Sequence, residues 1–373
     1  MFTCTVDKTQ MVTVLSKVQG LTGRRSNLAI TENILIRSTP EGIRMTATDL
    51  ETGFEGFYPA AVETQGSIAI NARKFYEIIK EFPLDAIRIR EVENRGVQIG
   101  EGNILYHIMG MNPEDFPETP EITEVDFFSI DAPVFEKMIQ RAVIVSATDE
   151  KRPHVSGVFV ERIPSDTHVN FRFVSTDINR LNIMDHIFEG PDAIPVGENV
   201  LVPKKGLSEA VKFLNTDGSV QVGIKNNNFI VKKDSEILII QLLEGDFPEY
   251  GHVLEKRQGN WQIEMDKFQF SKLLKRMSII TTEKYNGAVF TIEANKLMVS
   301  TVNPEYGESK EEMDIEFSGD PIKAAFNPKF LMDALSMIDD EKVIFDVIDG
   351  NHACLLKGAE DHTFTSFIMP MRF

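Results

Sequence analysis

Two aspartates are the residues best placed to do chemistry. Asp49 follows Thr48 and Asp177 follows Thr176, each beyond a strand-like run, Ile43 to Ala47 and Phe171 to Ser175. Carboxylates at equivalent strand ends could hold a divalent metal for phosphodiester hydrolysis. The same residues also serve in turns, where an Asp side chain accepts backbone N–H groups. The turn role is the simpler reading, because the third equivalent position is Val302, after Thr301. The seven histidines, at 107, 154, 168, 186, 252, 352 and 362, show no metal-ligand spacing. Gly100-Glu101-Gly102 lacks the third glycine of a phosphate loop, no Walker-type Gly-Lys-Ser/Thr occurs, and Ser156-Gly157 is outside a nucleophile-elbow context. Cys4 and Cys354 are too few and too distant in sequence for a disulfide framework or a thiolate metal site. No metal or cofactor is expected. The enzymatic alternative is a metal-dependent nuclease using Asp49 and Asp177.

The elements around these aspartates recur three times. Asp-Phe-Pro-Glu occurs at Asp115 to Glu118 and again at Asp246 to Glu249, and Met369-Pro370 ends the chain in similar company. Thr48, Thr176 and Thr301 are 128 and 125 residues apart. Helix openings at Ala72-Arg73-Lys74, Pro203-Lys204-Lys205 and Pro328-Lys329 follow them, 131 and 125 residues apart. Thr3 to Leu15, Phe128 to Ile139 and Ile263 to Leu274 each read as a short strand, an acidic residue near the turn and an apolar helix. Three degenerate copies of a domain of about 125 residues fit better than one core, since cores beyond roughly 250–300 residues split. The boundaries fall at 1–122, 123–253 and 254–373.

With 373 residues, 42% apolar and 26% charged, the chain has material for three globular cores. Residues 1–20 lack a continuous apolar run, and no stretch approaches the ~18 residues of a membrane span, so a cytoplasmic protein without membrane contact is expected. A net charge of −18 argues against a nucleic-acid partner until its distribution is considered. Helical apolar spacing marks residues 7–25, 72–81, 133–146, 203–214, 266–278 and 327–338. These segments hold 17 Lys/Arg against 7 Asp/Glu, which leaves 22 against 50 in the rest. If the six helices share a surface, that surface is a basic wall inside an acidic shell, suited to a polyanion held without sequence preference. The acidic run Glu308, Glu311, Glu312, Asp314 and Glu316 partly alternates, as one exposed strand face would.

Seven segments together resemble the bacterial DNA polymerase III beta subunit, the sliding clamp family. They are Ala47-Thr48-Asp49-Leu50-Glu51, Ala72-Arg73-Lys74-Phe75, Asp115-Phe116-Pro117, Val202-Pro203-Lys204-Lys205-Gly206, Glu283-Lys284-Tyr285-Asn286-Gly287, Asn303-Pro304-Glu305 and Met369-Pro370-Met371-Arg372-Phe373. The resemblance implies an α+β fold of three clamp domains, each with two helices backed by antiparallel sheets. It also implies a head-to-tail dimeric ring that encircles duplex DNA, slides, and confers processivity without catalysis. The implied partners are the replicative polymerase catalytic subunit, the clamp loader and other proteins with short clamp-binding peptides.

Carried over by position, Arg24, Arg73, Lys204 and Lys205 are expected to contact DNA; Lys137, Arg141, Lys272 and Arg276 join them from i, i+4 spacing on the third and fifth helices. The family's dimer interface maps to Lys74, Tyr106 and Ile108 facing Ile279, Ile280 and Glu311. Its apolar partner cleft, which takes short Gln- and Leu/Phe-containing peptides, maps to Val155, Thr176, Arg180, Leu181, Pro248, Val253, Phe367, Met369, Pro370 and Met371. The common family pattern after Thr-Asp is Gly-His-Arg-Leu, where this chain has Ile178-Asn179-Arg180-Leu181. A β-branched Ile resists backbone conformations open to Gly, so neither the loop's shape nor the peptide preference carries over with the motif.

Overall fold

In the computed structural model, the described residues are 1–23, 28–120, 122–145, 153–190, 193–195, 199–214, 217–255 and 261–372. Eight α-helices occur among them: α1 (Lys8–Thr22), α2 (Ala72–Glu81), α3 (Ala132–Val143), α4 (Pro153–Ser156), α5 (Lys204–Phe213), α6 (Gly251–Glu255), α7 (Lys267–Met277) and α8 (Pro328–Ser336). α4 and α6 are single turns. The other six are the six expected from apolar spacing, two per repeat, though α1 and α3 stop three residues short of the expected ends, at Thr22 and Val143. Short polar side chains set where helices begin. Asp7 accepts the Gln10 N–H (2.8 Å), Asn71 that of Lys74 (3.0 Å), Asp266 that of Gln269 (2.7 Å) and Asn327 that of Lys329 (3.0 Å).

The chain forms two compact units, residues 1–136 with 205–242 and residues 137–204 with 243–373. The first holds one antiparallel sheet of 13 strands. Its spatial order is Phe128–Asp131, Ser219–Lys225, Asn228–Lys233, Glu236–Gln241, Thr52–Pro59, Gly42–Thr48, Asn33–Thr39, Ser67–Asn71, Ile104–Met111, Gly96–Glu101, Ala86–Glu91, Thr3–Asp7 and Ala61–Thr64. Strands from the first and second repeats meet where Glu236–Gln241 pairs with Thr52–Pro59, with Leu238 opposite Phe54 and Ile239 opposite Gly53. Met11, Val14, Leu15 and Val18 of α1, and Phe75 and Ile79 of α2, bury the apolar stripes that their spacing foretold. Phe54 meets Phe213 edge-on at 6.2 Å, and Phe135 stacks on Phe229 at 6.4 Å.

The second unit holds an eight-stranded sheet in the order Val200–Pro203, Gly157–Pro164, His168–Thr176, Arg180–Glu189, Phe364–Ile368, Cys354–Gly358, Lys342–Val347 and Trp261–Asp266. A four-stranded sheet, Gly307–Asp314, Lys296–Asn303, Ala288–Glu293 and Ile322–Phe326, accompanies it. Here the second repeat meets the third in the same way: Arg180–Glu189 pairs with Phe364–Ile368, Leu181 opposite Phe367. α7 buries Phe270, Leu273, Leu274 and Met277. Phe270, Phe290 and Phe326 gather around Phe345 with ring centroids 5.8–6.2 Å away.

Gly206, in the first turn of α5, shows how tightly helix and sheet pack. A Cβ there would lie 2.3 Å from the Cγ2 of buried Ile240. Overpacking typically costs ~1–3 kcal/mol, which outweighs the gain of about 1 kcal/mol in helix propensity from Gly to Ala. Gly206→Ala should therefore lower the urea midpoint followed by circular dichroism, despite being a better helix former.

Candidate functional site

Both Thr-Asp segments form the same turn. Thr48 Oγ1 donates to the Thr52 carbonyl (3.0 Å) and accepts the Leu50 N–H (3.0 Å), while Asp49 Oδ1 accepts from Glu51 (3.1 Å) and Thr52 (2.7 Å). In the second copy Thr176 Oγ1 donates to the Arg180 carbonyl (2.8 Å) and accepts from Ile178 (3.0 Å), and Asp177 Oδ1 accepts from Asn179 and Arg180 (3.1 Å each). The remaining carboxylate oxygens are taken by cations, Asp49 by Lys205 (2.8 Å) and Asp177 by Arg180 Nε (2.9 Å). Both aspartates thus act as turn residues with an ion pair, which gives the nuclease alternative no support. Among the described residues, no three His, Cys, Asp or Glu side chains group as a metal site. In the third copy Asn303 takes over: its Oδ1 accepts the Glu305 N–H (2.9 Å) and its Nδ2 donates to the Ile280 carbonyl (2.7 Å).

Ile178 takes a left-handed backbone conformation despite its β-branching. It adopts φ +80°, and Leu50 in the twin turn adopts +79°. Non-Gly residues in such conformations cost about 1–3 kcal/mol, and the four side-chain hydrogen bonds of each turn hold them there.

The expected cleft residues collect in the second unit. Leu181 and Phe367 form a buried cluster with Val174 and Ile183, against which Val253, Phe247, Tyr250 and Leu254 pack half-buried. Pro248 is exposed and Met369 is 46% exposed, so both can meet a ligand. The tail is anchored by its backbone, with the Met369 N–H donating to the Asn179 carbonyl (2.8 Å) and Met371 to Ala325 (2.7 Å); Pro370 and Met371 are half-buried. Val155 and Thr176, expected at the cleft, are buried. Arg180 is buried too: Nη1 donates to Asp333 (2.7 Å), Nη2 to the Ile144 carbonyl (3.4 Å), and the guanidinium lies 4.4 Å from the Phe330 ring centre. Sequence reasoning missed Phe247 and Tyr250, although Phe247 belongs to the second Asp-Phe-Pro-Glu.

The cations divide into buried and exposed groups, and two expected DNA contacts are corrected. Lys204 is buried, with Nζ donating to the carbonyls of Val155 (2.6 Å) and Thr176 (3.3 Å), and burial pushes its amine down to about 8. Arg141 is buried as well, donating to the Met337 carbonyl (3.0 Å), Thr363 Oγ1 (2.9 Å) and Asp361 (2.8 Å). Burial alone would raise the Asp361 carboxyl, but the hydrogen bonds from Thr363 and Arg141 outweigh it and hold it well below the usual range. Lys137 pairs with Asp339, Lys205 with Asp49 and Glu51, and Arg276 with Glu311, all in partly exposed positions. Arg73 is exposed beside Glu77 (3.2 Å), and Lys272 is exposed with its amine 5.0 Å from the Phe268 ring centre. Arg24 lies outside the described residues.

Of the expected interface residues, Ile279 is 75% exposed and Tyr106 43% exposed, while Ile108 and Ile280 are half-buried. Lys74 pairs with Glu77 (2.8 Å). Glu311 points to the helix side and Arg276, while Glu308, Glu312 and Asp314 form the exposed face of Gly307–Asp314; the acidic run is therefore split between two faces. Among the described residues, that strand pairs on one side only, with Lys296–Asn303. Ile104–Met111 pairs along Gly96–Glu101, and on its other side, among the described residues, Gly110 and Met111 alone find partners.

Lys204 yields a pH prediction. Its folded value, about 8, lies below the unfolded value, so the unfolded chain binds more protons between them and stability must rise with pH across that window. Wild-type protein should gain on the order of 3 kcal/mol relative to Lys204→Met between pH 7.5 and 10.5. Urea titrations at both pH values measure it, and a pH-independent difference contradicts it.

Comparison with known proteins agrees along the whole chain. Models of the DNA polymerase III beta subunit match in succession, the N-terminal domain at residues 2–120, the central domain at 129–249 and the C-terminal domain at 256–372. The beta sliding clamp of Pseudomonas aeruginosa is 28% identical over 373 residues, covering 99% of each chain. A solved P. aeruginosa sliding clamp bound to griselimycin superposes with a TM-score of 0.90 at 26% identity, with both chains fully covered. The Bacillus subtilis DNA polymerase sliding clamp shares the fold, with a TM-score of 0.92 at 22% identity over 100% of this chain and 99% of that one. Three domain matches follow one another in order along residues 2–372, and the chain belongs to the DNA polymerase III beta subunit family, the sliding clamps, non-catalytic processivity factors of replication.

Proposed function

We propose that two copies of this chain close head to tail around duplex DNA and slide along it without reading sequence, tethering the replicative polymerase and other partners in the cytoplasm. The three domains are 1–122, 123–253 and 254–373. No helix among the described residues is long and apolar enough to cross a membrane.

The observation that carries this reading is the repeated junction. The strand after the first Thr-Asp turn pairs with the last strand of the second repeat, and the strand after the second turn pairs with the last strand of the third. By the same rule Gly307–Asp314 should pair with the last strand of a first repeat, Ile104–Met111, and among the described residues of the same chain that strand keeps most of one edge open. Joining these edges between copies is a heterologous contact that builds a ring when it closes. Tyr106, Ile108, Ile279 and Ile280 supply apolar surface beside it, and Lys74 and Glu311 the ionic part. Arg73, Lys205, Lys272 and Arg24 remain the candidates for phosphate contact. A few weakly held cations suit sliding, because each strong phosphate contact steepens the dependence of binding on salt.

The cleft around Leu181, Val253, Phe367 and Met369 is the partner-peptide site, with Pro248, Pro370 and Met371 at its margin. Methionines let one pocket adapt to several peptides.

Three outcomes test these readings. Loaded onto a closed DNA circle, the protein should persist at moderate salt and leave once the circle is cut; equal retention on linear DNA contradicts encirclement. Replacing Ile279 and Ile280 by Asp should convert a dimer into folded monomers of 42.1 kDa by light scattering, and an unchanged mass removes the interface assignment. Met369→Ala should weaken a Gln- and Leu/Phe-containing peptide by ~5–10-fold, the ~1–1.4 kcal/mol of a partly buried apolar side chain. Its thermal unfolding should stay unchanged.

A further inference from the structure

The twin turns are each followed by a strand in the same register, but one side chain differs. Gly53 lies opposite Ile239 as Leu181 lies opposite Phe367. Leu181 fills its junction, whereas a Cβ on Gly53 would meet only Thr119 Cγ2, at 3.7 Å. The missing side chain leaves a cavity of about 240 Å³ in the first unit, lined by Leu50, Gly53, Pro117, Asn227 and Ile239, with Glu51 and Glu118 on its wall. Pro117 comes from the first Asp-Phe-Pro-Glu, as Pro248 comes from the second. Leu50 is 50% exposed at the position matching Ile178.

We propose that this cavity is a second peptide-docking site, which takes a short extended peptide carrying an apolar anchor followed by Lys or Arg. The proposal rests on reading the Leu181 cleft as a peptide site. Leu50, Pro117 and Ile239 give the anchor an apolar seat, and the space that Leu181 occupies in the other junction is free to receive it. Glu51 and Glu118 make the wall acidic, and although Lys205 shares Glu51 (2.7 Å), Glu118 is exposed. Charge complementarity therefore selects a cationic flank.

The probe is an acetylated, amidated hexapeptide, Gln-Leu-Ala-Leu-Phe-Lys, titrated calorimetrically into the full chain. Two sites per chain are expected, the weaker one losing ~5–10-fold when the peptide's Lys becomes Glu and more at low than at high salt. Gly53→Leu fills the cavity without a forbidden backbone angle and should abolish the weaker site while the tighter site and thermal unfolding remain. Leu50→Asp, which suits a positive φ better than Leu, should weaken the same site. One site per chain in the wild type, or a second site indifferent to both variants, overturns the proposal. Met369→Ala acts on the tighter site alone, so its failure to weaken that site refutes the cleft reading independently of Gly53→Leu.

Discussion

An antiparallel strand with an unpaired edge must find a partner, because its exposed N–H and C=O groups invite association. Most of this architecture follows from how the chain meets that requirement. Each repeat sends out a strand after its turn and keeps a last strand to receive the next one. Two of these offers are met within the chain, as Thr52–Pro59 takes Glu236–Gln241 and Arg180–Glu189 takes Phe364–Ile368. Among the described residues, the third is not met within the chain. It leaves the edge of Gly307–Asp314, whose Glu308, Glu312 and Asp314 disfavour pairing with a copy of the same strand, and an apolar edge around Tyr106 and Met109.

The turns that launch these strands explain why the two aspartates are not a metal site. Each uses one carboxylate oxygen to hold two backbone N–H groups and the other to hold a cation. A divalent metal would have to displace both. The same bonds keep Leu50 and Ile178 at positive φ, a conformation that would otherwise favour glycine. Lys204 belongs to this framework. It gives up solvation to satisfy the Val155 and Thr176 carbonyls, which explains why its amine is easier to deprotonate.

Charge on the helices has two uses. Arg141 and Lys204 are buried and tie loops and helices together, whereas Arg73 and Lys272 are exposed. Counting positive residues on helices therefore overstates the cationic surface. The exposed helix cations are fewer than that count suggests, in an acidic chain, and modest attraction to phosphate suits sliding.

The repeat, the six helices and the turn motifs were legible in the sequence because each is local: period-3.6 apolar stripes at Met11, Val14, Leu15 and Val18, an Asp or Asn at each capped helix start, Thr-Asp at each strand end. The family resemblance was legible for the same reason, since short segments keep their order and spacing. Tertiary structure decided which cations stay wet, because burial depends on residues far away in the chain: Arg141 is committed to Asp361 and Thr363, and Arg180 to Asp333. It also decided that Arg180 is committed to Asp333 and Phe330 instead of being exposed, and that Phe247 and Tyr250 pack against Leu181 and Phe367. The difference between Leu181 and Gly53 is visible in the sequence, but only strand register puts the two residues at matching positions and turns a missing side chain into a cavity.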